Sequence, residues 1–115
     1  MSVFLRAIDI INEHGWTKGR YRRYTQEDTA KFGMVNAGYC ILGACAGEEV
    51  SGTRIGEFEN SKQYNILRTV CRVSPIYYND NLAKSKQDII DILQKAYEYE
   101  CELAKQTEHS SALPA

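Results

Sequence analysis

The longest periodic segment of the chain is SKQDIIDILQKAYEYECELAK, residues 85–105. Its apolar side chains recur at helical spacing and predict one amphipathic helix over about residues 86–105. Ser85 and Asp88 have the spacing of a capping box, which marks the start of this helix. The expected buried stripe comprises Ile89, Ile92, Leu93, Ala96, Tyr99 (or Tyr97) and Leu103.

Three further segments, residues 3–14, 36–46 and 62–72, also predict helices. Ser2 and Ser61 directly precede two of these segments and Asn36 is the first residue of the third, and all three residue types cap helices well. We interpret residues 48–60 as a polar connection with little structure and residues 76–81 as a turn. The sequence therefore predicts a mostly α fold, a compact four-helix domain over residues 1–115. We expect residues 106–115 to form a frayed tail.

Composition places the chain among ordinary single-domain proteins. It has 115 residues, of which 43% are hydrophobic and 25% charged, with a formal net charge of −1. These fractions disfavour a disordered chain, and the near-neutral charge makes nucleic acid an unfavoured partner. No apolar run reaches the roughly 18 residues of a membrane helix, and the N-terminus lacks the pattern of a signal peptide. We expect a cytoplasmic protein that does not bind membranes.

A long loop between the first two predicted helices concentrates positive charge and aromatic rings. Residues 16–34 show no clean period, and Lys18, Arg20, Arg22 and Arg23 form a concentrated group of positive charges within them. We expect a short extended piece around residues 20–24, followed by a polar turn at residues 25–29. Long loops in compact domains often carry function.

This loop supplies most of the candidate ligand-binding residues. Arginine can clamp a phosphate and an aromatic ring can stack on a base, while an Asn-Asp pair can add hydrogen bonds to a sugar or base edge. The candidate residues are Trp16, Arg20, Arg22, Arg23, Tyr24, Asn79 and Asp80. The alternative is a solvated charged loop with Trp16 anchored in the core, and the sequence leaves both open.

The cysteines predict neither disulfides nor a metal site. Without a secretory signal, free thiols are expected, and none of the four cysteines forms the close C-x2-C pair typical of zinc sites. Cys40 could lie at a helix N-terminus, which lowers a thiol pKa. A catalytic base for it would have to be His14, because the other histidine, His109, lies in the expected tail. We therefore predict no catalytic residues, no metal and no cofactor.

Three ordered motifs resemble an uncharacterised family of small bacterial and phage proteins, a domain of unknown function. They are H-G-W-T-K-G at residues 14–19, Y-C-I-L-G-A at residues 39–44, and Tyr78-Asn79-Asp80 ahead of the capped last helix. The family usually has tryptophan where this chain has Tyr78. The resemblance implies a compact helical domain and a frequent phage context, and it implies no reaction.

These observations lead to a ranked set of functional hypotheses. The first is a non-enzymatic phage or mobile-element protein that sequesters or blocks a host defence component or its nucleotide signal. It would act in the host cytoplasm, and its ligand would be a host protein or a small phosphate-containing molecule. The alternative is an interaction module that inhibits one host enzyme through Tyr97, Tyr99 and acidic helix faces. Nucleic-acid binding through the basic loop is weaker, and homo-oligomer formation stays open because eight tyrosines suit an association surface.

Overall fold

The structure is a computed structural model that describes residues 2–18, 22–23, 38–47 and 52–112. Helix α1 (Val3–His14) is followed by strands β1 (Arg22–Arg23) and β2 (Gly38–Tyr39), then by helices α2 (Ile41–Ala46), α3 (Gly52–Glu59) and α4 (Lys62–Cys71). Helix α5 (Pro75–Tyr77) leads into a π-helix (Tyr78–Leu82), and α6 (Lys86–Ala112) follows. The expected mostly α fold is confirmed, although the described part of the chain has six α-helices and not four.

Serine side chains cap α1, α4 and α6 at the predicted positions. The hydroxyl of Ser2 accepts a hydrogen bond from a backbone N–H in the first turn of α1 (3.2 Å), and Ser61 does the same for α4 (3.3 Å). The hydroxyl of Ser85 accepts from the N–H of Asp88 (3.3 Å), whose carboxylate in turn accepts from the N–H of Lys84 (2.8 Å). These bonds satisfy backbone donors that have no partner inside the helix.

The hydrophobic core lies where α1, α2, α4 and α6 meet. Helix α1 packs against α2 and α6, and α4 packs against α6. The largest fully buried apolar side chains are Phe4, Ile11, Tyr39, Ile41, Leu42, Leu67, Ile89 and Leu93. Within the described ranges, no helix has both the length and the apolar character needed to cross a membrane.

Four segments differ from the sequence prediction. The expected connection at residues 48–60 contains helix α3, which buries Ile55 and Phe58 one turn apart. The expected helix at residues 36–46 starts at Ile41, because residues 38–39 form β2 and residues 36–37 lie outside the described part. The expected turn at residues 76–81 is helical, and α6 continues beyond residue 105 to Ala112.

Tyr39 is the middle member of a three-segment backbone arrangement. On one side β2 pairs antiparallel with β1, which places Tyr39 opposite Arg22. On the other side Tyr39 donates its N–H to the carbonyl of Gly15 (2.9 Å) and accepts from the N–H of Thr17 (3.0 Å). Both ends of the basic stretch between residues 17 and 22 are therefore tied to one residue of the core.

Gly38 permits this close approach. A Cβ at position 38 would lie 3.1 Å from the carbonyl oxygen of Trp16, which is backbone and has little freedom to move. We expect Gly38→Ala to destabilise the fold by about 1–2 kcal/mol through overpacking. Gly56→Ala is the matched control, because a Cβ there meets nothing within 4 Å and Gly56 lies inside helix α3.

Urea denaturation of the two variants measures this difference. The control should be stabilised by about 0.5–1 kcal/mol, since alanine is the better helix former. Equal stability changes in the two variants would contradict the close approach at Gly38.

Candidate functional site

The side chain of Asn79 lies at the centre of a buried hydrogen-bond network. Its carbonyl oxygen accepts from the indole N–H of Trp16 (2.8 Å) and from the backbone N–H of Ile41 (2.9 Å). Its amide donates to the carbonyl oxygen of Thr17 (3.0 Å) and to a carboxylate oxygen of Asp80 (2.9 Å). We call these five residues the Asn79 hub.

The hub uses the full hydrogen-bonding capacity of the Asn79 side chain. A primary amide offers two donors and two acceptor sites, and all four have protein partners. The residue is only 1% exposed. A ligand could bond to Asn79 only by displacing one of these partners, so the geometry favours a supporting role for this side chain.

Asn79 is the buried residue of the π-helix at residues 78–82. Tyr77, Leu82 and Ile76 are exposed, whereas Asn79 points inward from the same short run. Single π-helical turns often occur at functional sites. The wider turn at residues 78–82 is closed by the N–H of Ala83, which donates to the carbonyl of Tyr78 (2.8 Å).

The structure brings three of the predicted site residues into direct contact. Trp16, Asn79 and Asp80 meet in the hub, and the ammonium group of Lys18 lies 5.3 Å from the centre of the Trp16 ring. This is a cation–π distance. Arg22 and Arg23 form β1, which lies beside Tyr39. Arg20, Tyr24 and the polar turn predicted at residues 25–29 lie outside the described residues.

Cys40 caps α2, but burial outweighs the effect of the helix end. Its sulfur accepts a hydrogen bond from the backbone N–H of Gly43 (3.3 Å), as the sequence suggested for a residue at a helix N-terminus. Burial raises the pKa of the Cys40 thiol to about 11, and the backbone hydrogen bonds oppose this only in part. The thiol is therefore protonated at neutral pH and is a poor nucleophile.

The other buried thiols behave in the same way. Burial raises the pKa of Cys71 to about 12 and raises that of Cys45 further still. The Nδ1 atom of His14 is buried without a hydrogen-bond partner, and the His14 ring packs against Tyr39 with the ring centres 5.5 Å apart. Among the described residues, no group of histidine, cysteine and acidic side chains could hold a metal ion.

A groove between α4 and α6 forms a second surface feature, which the sequence did not reveal. It encloses about 610 Å³ and is lined by Lys62, Gln63, Asn65, Ile66, Thr69, Tyr99, Glu100, Leu103 and Ala104. Tyr99 is 40% exposed at its edge. The helical stripe predicted both Tyr97 and Tyr99 as alternatives for burial, and Tyr97 is the more buried of the two.

Comparison with known proteins shows which family this chain belongs to. Residues 2–99 match the model of a family of unknown function, DUF6197, so the chain belongs to that family. No curated protein matches the sequence, and no solved structure does. This membership agrees with the predicted resemblance to an uncharacterised family. Because the function of the family is unknown, membership assigns no activity to this chain.

The first prediction from this site concerns Asn79. Asn79→Ala leaves the N–H of Ile41 and the carbonyl of Thr17 without their partner, so it should cost about 2–4 kcal/mol of unfolding free energy. Asn81→Ala is the control, because Asn81 is exposed in the same π-helix and its side chain bonds to the carbonyl of Tyr77 (3.3 Å) at the surface. Its effect should stay within about 0.5 kcal/mol.

Trp16 is the single tryptophan of the chain and reports the state of the hub directly. Its fluorescence should shift in the folded Asn79→Ala variant and stay unchanged in Asn81→Ala. Unfolding followed by fluorescence and by circular dichroism gives both quantities. Similar stability losses in the two variants would show that the hub does not organise the fold.

The second prediction concerns pH. The raised pKa of Cys40 means that its contribution to stability is fully present below the ordinary thiol pKa of 9.0. Between pH 9 and about pH 11 the unfolded chain loses this proton while the folded chain keeps it, so unfolding becomes easier as pH rises. The loss is up to about 1.4 kcal/mol per pH unit for this thiol.

Denaturation at four pH values spaced between about pH 8 and pH 11 tests this sign. The Cys40→Ala variant should lose less stability than the wild type over that range. Parallel curves for the two proteins would indicate that the Cys40 thiol ionises equally well in both states.

Proposed function

We propose that this member of the family is a non-enzymatic binding protein that holds a phosphate-containing ligand at its basic segment, residues 18–24. The observation that carries the proposal is the Asn79 hub, which fixes Trp16 and Thr17 at the point where the segment begins. Arg22 pairs with Tyr39, the same residue that holds Thr17, so the segment is attached to the core at a second point, Arg22.

The backbone pairing brings the two ends of a positively charged stretch of sequence close together. Tyr39 lies between the backbones of Trp16 and Arg22, and adjacent strands are about 4.8 Å apart. The two flanking backbones are therefore separated by roughly 10 Å. In the sequence, Lys18 and Arg20 lie between Trp16 and Arg22. A phosphate group is recognised by such a set of cations, and arginine adds paired hydrogen bonds of fixed geometry.

Aromatic residues supply the second element of the proposed site. The indole N–H of Trp16 is already bonded to Asn79, so the ring face is the part of Trp16 that suits stacking on a base. Tyr24 is the proposed second ring, and Asp80 the proposed acceptor for a sugar hydroxyl or a base N–H. Asn79 then acts as the support that holds Trp16 and Asp80 in place.

The protonated state of the Cys40 thiol bears only on thiol chemistry. Cys40 is the buried thiol next in sequence to Ile41 of the hub, and its raised pKa keeps it protonated at neutral pH. A more specific form of the proposal is that a phage or mobile element encodes the protein and that it sequesters a host-defence nucleotide signal in the host cytoplasm. That form rests on the phage context implied by the family resemblance.

The test is charge reversal within the segment. Arg22→Glu/Arg23→Glu should abolish binding, because it replaces the phosphate-binding cations with repelling carboxylates. The control is Lys84→Glu/Lys86→Glu, which makes the same change in net charge at exposed positions at the start of α6, where acidic residues are favourable.

Native mass spectrometry of gently purified protein first shows whether a small molecule is retained. Calorimetric titration with ATP and with cyclic di-AMP then compares the wild type and the two double variants. We expect only the arginine variant to lose the retained small molecule or the heat of ligand binding. Equal binding by both variants would place any phosphate ligand away from the basic segment.

The alternative function is an interaction module that inhibits one host enzyme. The exposure of Tyr99 beside the groove favours Tyr99 over Tyr97 as its contact residue. Binding of a host protein that survives the arginine changes and fails in Tyr99→Ser would favour this alternative. Nucleic-acid binding through the basic segment would instead weaken steeply with salt, because phosphate contacts release counterions.

A further inference from the structure

The exposed edge of the groove carries a stripe of polar and aromatic side chains along α6. Lys95, Tyr99, Glu102 and Gln106 are all exposed, and their spacing of four, three and four residues places them along one face of the helix. Neither Lys95 nor Glu102 forms an ion pair with another described residue. Tyr99 is among the few large apolar side chains that the described chain leaves exposed.

Two copies of this stripe have complementary charges when their helices run antiparallel. Lys95 lies four residues before Tyr99, and Glu102 lies three residues after it. When a second α6 runs antiparallel with Tyr99 near the two-fold axis, Lys95 of each copy lies opposite Glu102 of the other. The mismatch of one residue is about 1.5 Å along the axis, which flexible lysine and glutamate side chains accommodate.

We propose that the stripe and the adjacent groove form the interface of a two-fold symmetric dimer of this chain. Tyr99 of each copy packs against the groove floor of the other, where Ile66 and Leu103 provide apolar contact. Two Lys95–Glu102 pairs fix the antiparallel register, as charges do at many self-complementary interfaces. The interface does not involve the basic segment, so the inference is independent of the proposed ligand.

Several features suit a second copy as the occupant of the groove. An isologous interface requires one surface to match itself, and the stripe does so in both charge and position. Helix α6 also extends past the groove through Lys105 and Gln106, which are exposed. In the antiparallel arrangement this extension lies along the α6 of the other copy and gains a surface to pack on.

Sedimentation velocity tests the dimer with the full chain. The wild type should shift from monomer to dimer between about 1 and 200 µM, a range suited to a micromolar Kd. Lys95→Glu places two carboxylates opposite each other and should weaken self-association about tenfold or more. Glu102→Lys should do the same with two ammonium groups.

The decisive sample is an equimolar mixture of the two variants. In the mixed dimer, the carboxylate introduced by Lys95→Glu faces the ammonium group introduced by Glu102→Lys, and the native Lys95 faces the native Glu102. The mixture should therefore dimerise like the wild type, although neither variant does so alone.

Lys86→Glu is the matched control for these variants. It makes the same charge change as Lys95→Glu on the same helix, about nine residues and about 180° away from Lys95. It should leave the dimer unchanged, because position 86 lies outside the stripe.

Circular dichroism confirms that each variant is folded, which is expected because all the substituted residues are exposed. A wild type that stays monomeric up to the highest concentration overturns the proposal and leaves the groove to an unrelated partner. A dimer that neither charge reversal weakens, or a mixture that fails to recover association, overturns it as well.

Discussion

The four hydrogen bonds of one buried amide hold the fold together at the point where its separate parts meet. Asn79 contacts the segment after α1, the start of α2 and its own neighbour Asp80. A buried polar group is costly unless all its bonds are made, and a saturated network fixes one arrangement of the segments around it. The point at which the basic segment leaves the core depends on that arrangement.

Sequence periodicity predicted the elements whose burial extends over several turns. Helices α1, α4 and α6 each show a long apolar stripe, and their serine caps are local features that a few residues define. Helix α3 was missed because its buried face consists only of Ile55 and Phe58. Two apolar positions one turn apart, among polar residues and glycines, do not distinguish a short helix from a loop.

Three of the five hub residues were candidates from the sequence, but the hydrogen bonds that join them were not predictable. Trp16, Asn79 and Asp80 were all candidates, yet the bond between Trp16 and Asn79 joins residues 63 positions apart, a contact that no local pattern encodes. The sequence suggested a ligand contact for Asn79, whereas its saturated bonds favour support. The sequence correctly placed Cys40 at a helix N-terminus. It did not predict the raised pKa of the thiol, because burial depends on the whole core and outweighs the effect of a six-residue helix.

The hub and the groove lie towards opposite ends of α6. The π-helix that carries Asn79 precedes the start of α6 at Lys86, whereas Tyr99 lies 13 residues beyond Lys86, a separation of about 20 Å along the helix. In an antiparallel dimer centred on Tyr99, the two hubs are therefore displaced in opposite directions along the paired helices, roughly 40 Å apart along the helix axis. Such a dimer could hold two ligands independently, because neither hub contributes a residue to the other.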